Sequence, residues 1–156
     1  MKKAILFIGL PGSGKSTFIR NNISNKKYQI VDADKIKRTH PDYDVNNPEA
    51  VHQWSVKLAE LQMNQLANDG VNICMDSGGV NNSYQIRIIN MLKSKGYKVQ
   101  LIYMDTPLEV CIERNSKRER KVPEHVIREK SEKLPECLSK QIDLVDTFIH
   151  IKDFKL

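Results

Sequence analysis

The chain has 156 residues, 40% apolar and 28% charged, the balance of a water-soluble globular protein with material for one buried core. No apolar run approaches the roughly 20 residues of a membrane helix, and the net charge of +6 attracts polyanions: nucleotide, nucleic acid or a membrane surface. Cys74, Cys111 and Cys137 lie far apart with no Cys-x-x-Cys pair, and the 4 histidines show no ligand spacing, which argues against a disulfide frame or zinc site and for a reducing, cytoplasmic setting.

Met1-Lys2-Lys3 and the apolar residues after it have the outline of a signal peptide, but the run ends in a glycine loop rather than a cleavage site. Residues 3–9 therefore read as a strand buried on both faces. A helix is predicted over 15–22 and a short strand over 29–31 that closes on Asp32-Ala33-Asp34. From residue 48 to 68, Val51, Trp54, Val56, Leu58, Leu61, Met63 and Leu66 recur at helical spacing, and Asp69-Gly70 stops the helix. A third strand covers 71–76, broken by Ser77-Gly78-Gly79. A helix over 81–95 turns Ile86, Ile89 and Leu92 inward, and a fourth strand spans 99–105. Thr106-Pro107 opens the next helix with proline at its first position. Residues 122–134 are helical, Pro135 begins a separate turn, and 144–151 form the closing strand. Trp54, Tyr97 and Tyr103 are expected in the core, and His40, before Pro41, in a turn.

Strands alternating with helices give an α/β fold: one P-loop NTPase-type domain over 1–156, with a parallel sheet of about five strands and helices on both faces. Ligands of such sheets bind beyond the carboxyl ends of the strands.

Gly9-Leu10-Pro11-Gly12-Ser13-Gly14-Lys15-Ser16 matches G-x-x-x-x-G-K-[ST] at every fixed position, between an apolar strand and a helix. Its glycines let successive amides converge on a polyphosphate at a helix N-terminus. Gly12, Ser13, Gly14, Lys15, Ser16 and Thr17 are thus the expected nucleotide contacts, with Lys15 on the β- and γ-phosphates and Ser16 on Mg²⁺. ATP and Mg²⁺ are the expected cofactors. Switches and motors share this loop, but the short chain favours a kinase that closes a lid over its acceptor.

Asp32 and Asp34 end the second strand at the same crevice, and in an extended arrangement both point one way. A carboxylate there can orient an acceptor hydroxyl and take its proton; alternatively, one aspartate caps the next helix. Arg114, Lys117, Arg118, Arg120 and Lys121 crowd the stretch before Pro123. A solvated helix face is the plain reading of such a run, and a basic lid over about 113–124 is the functional one.

The P-loop, Asp-x-Asp-x-Ile-Lys at 32–37, His40-Pro41, and above all Arg114-Asn115-Ser116-Lys117-Arg118 before Val122-Pro123 and Val126-Ile127-Arg128 resemble the zeta toxins and bacteriophage polynucleotide 5′-hydroxyl kinases. The likeness runs from residue 1 to about 134. It implies Asp34 as general base, Arg118 as the lid arginine that stabilises the transferring phosphoryl group, and Arg114 as a nucleotide contact. It also implies Lys37 at an acceptor phosphate and Asp76 near the acceptor or a metal-bound water. Lysine at 37 departs from the arginine of the phage kinases and offers no bidentate fork, a role neighbouring Arg38 can take. Asp32-Ala33-Asp34-Lys35 lacks the phosphatase pattern that accompanies the phage kinase domain, so 3′-end removal is not expected.

Together these readings predict an ATP-dependent kinase acting on the 5′-hydroxyl of DNA or RNA in the cytoplasm of a bacterium or phage-infected host. Asp32, Lys37, Arg38 and Asp76 form its acceptor side; neither a membrane nor a protein partner is implied. The alternatives are a zeta-toxin-like or other small-molecule kinase (nucleotide sugar, nucleoside, sugar or antibiotic), a hydroxyl on a modified DNA base as acceptor, and a non-catalytic nucleotide-gated binding protein.

Overall fold

A computed structural model describes the backbone of residues 1–156 and every side chain except that of residue 48. In chain order the elements are β1 (Lys3–Gly9), α1 (Lys15–Asn22), β2 (Gln29–Asp32), α2 (Ala33–Arg38), a 3₁₀ turn (Pro48–Val51), α3 (His52–Asp69), β3 (Ile73–Asp76), α4 (Asn82–Ser94), β4 (Lys98–Asp105), α5 (Leu108–Ser116), α6 (Glu124–Ile142) and β5 (Thr147–Lys152). The five strands form one sheet in the order β2-β3-β1-β4-β5, parallel throughout.

The continuous apolar run of β1 follows from its central place. Ala4, Leu6 and Ile8 face the larger core with α3, α4 and α6, whereas Ile5 and Phe7 face a smaller one with Ile19 of α1. Phe7 is wholly buried, so truncating it to alanine costs about 3–5 kcal/mol. The connection from β1 runs to β2 on one side and that from its neighbour β3 crosses to β4 on the other, so the connections diverge between the carboxyl ends of β1 and β3 and open a crevice there. No helix among the described residues is long and apolar enough to cross a membrane.

Four sequence expectations change. The inward face of α3 is Ser55, Ala59, Met63 and Ala67, while Trp54, Leu58 and Leu61 are exposed; small residues let the helix lie close to the sheet, and size outweighs apolarity. Trp54 instead packs edge-on against His40, with ring centroids 4.7 Å apart. On α4, Ile88 rather than Ile86 is buried, beside a fully buried Gln85. Helix α6 continues through Pro135; the residue is exposed, so water can take the carbonyl that loses its amide partner. Finally, β3 begins at Ile73 and β5 at Thr147. Asp146 replaces the missing start of β5: its amide donates to the Val99 carbonyl, and its Oδ2 accepts from the Val99 amide at 2.8 Å.

Two buried glutamines brace the floor of the crevice. Gln85 Nε2 donates to the Phe7 carbonyl at 2.9 Å and Gln141 Nε2 to the Gly79 carbonyl at 2.8 Å. Between them Gly79 has φ 74°, and a Cβ there would lie 2.3 Å from the Phe7 oxygen, so no other residue fits.

Candidate active site

The loop between β1 and α1 is held by its carbonyls. Thr106 Oγ1 donates to Ser13 O at 2.8 Å, Arg114 Nη1 to Gly12 O at 3.3 Å, and the Ser13 amide to Leu10 O at 3.0 Å. Gly12 and Gly14 take φ of 86° and 95°, and α1 starts at Gly14 without a side-chain cap. The first amides of α1 therefore have no intrahelical acceptor and sit at the positive end of its dipole, a seat for an anion. Gly12 through Thr17 all line one cleft of about 660 Å³.

Ser16 Oγ donates to Asp76 Oδ2 at 3.0 Å, and Lys15 Nζ lies 3.7 Å from Asp76 Oδ1. Hydroxyl and carboxylate together are hard oxygen donors suited to Mg²⁺, which takes only one or two protein ligands and fills its octahedron with water and phosphate oxygens. Asp76 thus stands with the phosphate loop rather than out on the acceptor side.

Register explains the neighbouring aspartates. Asp32 pairs with Asp76 across β2 and β3, and its Oδ1 accepts from the amides of Asp34 at 2.9 Å and Lys35 at 3.3 Å. It is the cap of α2, which corrects the extended arrangement read from the sequence: Asp34 belongs to the first helical turn, not to the strand. Burial, and then the Asp76 charge, raise the Asp32 carboxyl above its ordinary value. Asp34 moves the other way. Burial works against its charge, but Arg120, Lys37 and Lys15 outweigh it and hold the carboxyl below the usual range.

Asp34 lines the cleft opposite the loop. Arg120 Nη2 donates to its Oδ2 at 3.0 Å, whereas Lys37 Nζ lies 4.0 Å from Oδ1 and 3.9 Å from Glu49 Oε1. Lys37 is 3% exposed, so its ammonium is confined to the cleft wall. Arg38, expected beside it, is exposed and does not line the cleft; the helical turn carries it outward.

The basic lid divides differently from the sequence reading. Residues 113–116 belong to α5, and 117–123 form the loop. Buried Asn115 closes its neck: Nδ2 donates to Val122 O at 2.7 Å and Oδ1 accepts from the Val122 amide at 3.0 Å. Arg118 lines the cleft, and among the described residues its guanidinium has no acceptor. Arg114 reaches the donor end, binding Gly12 O and, at 2.8 Å, Phe154 O.

Arg120, Lys130, Glu49 and His52 also line the cleft and were not singled out from the sequence. Arg120 stood in the basic run, and Lys130 follows Val126 by one helical turn, a signal that both share a face. Glu49 and His52 carried none. Burial, reinforced by Lys15, lowers the Lys130 ammonium below its ordinary value, and among the described residues it has no ion-pair partner. Burial followed by Lys37 likewise lowers His52.

Comparison with known proteins adds lineage to this geometry. A family profile described as an AAA domain matches residues 5–136. The chain is 26% identical over 137 residues to L-seryl-tRNA(Sec) kinase of Methanococcus maripaludis, covering 83% of this chain and 51% of that protein. A structure from the PezAT toxin-antitoxin system of Streptococcus pneumoniae superposes with TM-score 0.77 at 20% identity, over 98% of this chain and 69% of the other. One from the Pnkp1/Rnl/Hen1 RNA repair complex gives 0.71 at 20% identity, over 89% and 46%. The chain spans about half the length of the curated relatives it matches.

Proposed function

The chain belongs to the AAA domain family, and from that premise we propose that it is an ATP-dependent P-loop kinase whose acceptor is the 5′-hydroxyl of a polynucleotide. One observation carries the reading: the phosphate loop and Asp34 open on a single cleft whose acceptor half is lined by Lys37, Arg118, Arg120, Lys121 and Lys130. Only two carboxylates, Asp34 and Glu49, line that half besides Asp76 at the loop. Cations in excess suit a chain of phosphodiesters. One relative is named for a kinase of L-seryl-tRNA(Sec) and one neighbour comes from an RNA repair complex; both names carry RNA, and neither carries a 5′-hydroxyl.

The amides of Gly12 to Thr17 and Lys15 would hold ATP, and Ser16 and Asp76 would hold Mg²⁺; when bound, they would supply the phosphoryl group and its divalent counter-charge. Lys15 and Arg118 offset negative charge on the transferring group, since charge stabilisation carries most of the catalysis in phosphoryl transfer. Asp34 orients the acceptor hydroxyl and takes its proton at Oδ1, the oxygen that Arg120 leaves free.

A second reading rests on the back of the cleft, where Val56, Ala59, Met75, Val80, Tyr84 and Val126 make an apolar wall. That wall favours a compact acceptor such as a nucleotide sugar. Transfer of labelled γ-phosphate separates the two, with a 5′-hydroxyl oligonucleotide run beside nucleosides, UDP-sugars and aminoglycosides. Labelling of the oligonucleotide, inhibited steeply by salt, is the expected result; labelling of a small acceptor alone refutes the polynucleotide reading.

A further inference from the structure

Arg120 reaches Asp34 from 86 residues away in the chain. Its guanidinium is largely buried, with 12% of the side chain exposed, although it stands on a surface loop of charged residues. The contact uses Oδ2 of Asp34 and leaves Oδ1 facing Lys37 at 4.0 Å, beyond hydrogen-bond reach. A carboxylate anchored through one oxygen has the other fixed in direction, which is what a group that aligns a hydroxyl requires. The loop that delivers Arg120 is the one that carries Arg118 into the cleft, and both are tied to the neck closed by Asn115.

We propose that Arg120 is a positioning residue: when the lid is closed, its guanidinium holds the Asp34 carboxylate through Oδ2 and fixes the direction of Oδ1, so that the acceptor is aligned only beneath a closed lid. This rests on the reading of Asp34 as the acceptor-aligning group. The charges around Asp34 all bear on the effect. Arg120 comes from the lid, Lys37 from α2, Lys15 from α1, Asp32 from the end of β2, Glu49 from the 3₁₀ turn, His52 from α3 and Lys130 from α6. Of these, Arg120 has the largest influence favouring the charged carboxylate and is the one that hydrogen-bonds to it. Its own charge is favoured in return: burial opposes it, but Asp34 and the Tyr43 hydroxyl outweigh burial.

Asp34 is held below the ordinary carboxylate range, so it remains an anion, able to accept a proton, down to a lower pH than a free aspartate. Without Arg120, its protonation moves up in pH, and the acid limb of kcat moves with it.

The experiment has two arms. In the first, ¹³C NMR follows the Asp34 carboxylate through pH in the wild-type chain, Arg120→Gln and Arg120→Lys; no acceptor is needed. The midpoint should rise in Arg120→Gln and stay near wild type in Arg120→Lys. In the second, γ-phosphate transfer to a 5′-hydroxyl oligonucleotide is measured against pH. Arg120→Gln should lower kcat by about tenfold to a hundredfold, the scale of a misplaced catalytic group, with the KM for ATP unchanged and the acid limb raised. Added to Asp34→Asn, it should cost nothing further, because the two act as one unit. An unmoved Asp34 midpoint, an equal loss in the Asp34→Asn background, or a faster Arg120→Gln enzyme would each overturn the assignment; the last would make the pair an obstruction. If the wild-type chain leaves the oligonucleotide unlabelled, the polynucleotide reading fails by itself, and the titration still decides the role of Arg120. If Asp34→Asn keeps full activity, the reading of Asp34 fails, and this proposal with it.

Discussion

Replacing Asn115 with alanine removes the clip that closes the lid at its neck. The side chain is 5% exposed and makes two hydrogen bonds to the backbone of Val122, one as donor and one as acceptor. Each is worth about 0.5–1.5 kcal/mol net, and half-buried Val122 loses its amide and carbonyl partners together, so the total is about 2 kcal/mol. At this chain length that lowers Tm by about 4–8 °C. Much of the loss should be local, because the segment between the two contacts carries few buried groups and can open without the core. The loop offers trypsin Lys117, Arg118, Arg120 and Lys121. Mass-mapped limited proteolysis should therefore find faster cleavage within 117–121 in Asn115→Ala, and an intermediate rate in Asn115→Asp, which keeps the acceptor but puts a carboxylate against a carbonyl. A Tm decrease without faster lid cleavage would refute the view that Asn115 governs the lid rather than general packing.

Gly12→Ala should weaken ATP binding at least tenfold while the chain stays folded, because the new Cβ would sit 2.4 Å from the Cys111 carbonyl oxygen at φ 86°, a conformation that costs an L-residue about 1–2 kcal/mol; titration with a fluorescent ATP analogue beside a circular dichroism melt checks both. Lys130→Met should raise the KM for an anionic acceptor about tenfold, a loss of about 1.4 kcal/mol, and leave the KM for ATP alone, because among the described residues Lys130 makes no ion pair and Glu49 and Asp34 act on it only from a distance; equal loss on an uncharged acceptor would contradict this. The thiols of Cys74, Cys111 and Cys137 are buried, and burial pushes their pKa up, to about 12 for Cys74 and about 11 for Cys111. Native protein at pH 8 should accordingly react slowly with a disulfide reagent and rapidly once unfolded.

The donor half of the site was legible because it is local. Eight consecutive residues, with a buried strand before them and a helix after, mark the phosphate loop; the sequence reads Asp76 at the end of the third strand but assigns it to the acceptor side, whereas its contacts are with Ser16 and Lys15. The fold was legible for a similar reason: the central strands β1, β3 and β4 are largely buried and read as apolar runs, and each helix between strands must cover one face. Trp54, Leu58 and Leu61 show where pattern fails. Their spacing is helical, yet α3 turns Ser55, Ala59, Met63 and Ala67 to the sheet, three of them small enough for close approach. Pro135 misleads in another way: as an exposed residue it lets the helix continue at the loss of a single hydrogen bond.

The acceptor half is assembled from side chains on segments far apart in the chain: Asp34 and Lys37 on α2, Glu49 and His52 around the start of α3, Arg120 on the lid and Lys130 on α6. No short window contains this set, so sequence could offer a basic run but not the member of it that turns toward Asp34. Arg118 and Arg120 are two residues apart on a loop with no regular period, and only the path set by the Asn115 clip decides which meets the carboxylate and which lines the cleft without an acceptor among the described residues. The physical division between the halves has a consequence for specificity. Backbone amides hold the polyphosphate, and few substitutions can alter them without breaking the turn. Side chains hold the acceptor, and each can change while the donor site stays intact. On the proposed kinase reading, acceptor choice is set where Lys37, Lys130 and the lid meet, and variants there should alter which hydroxyl is phosphorylated before they alter the affinity for ATP.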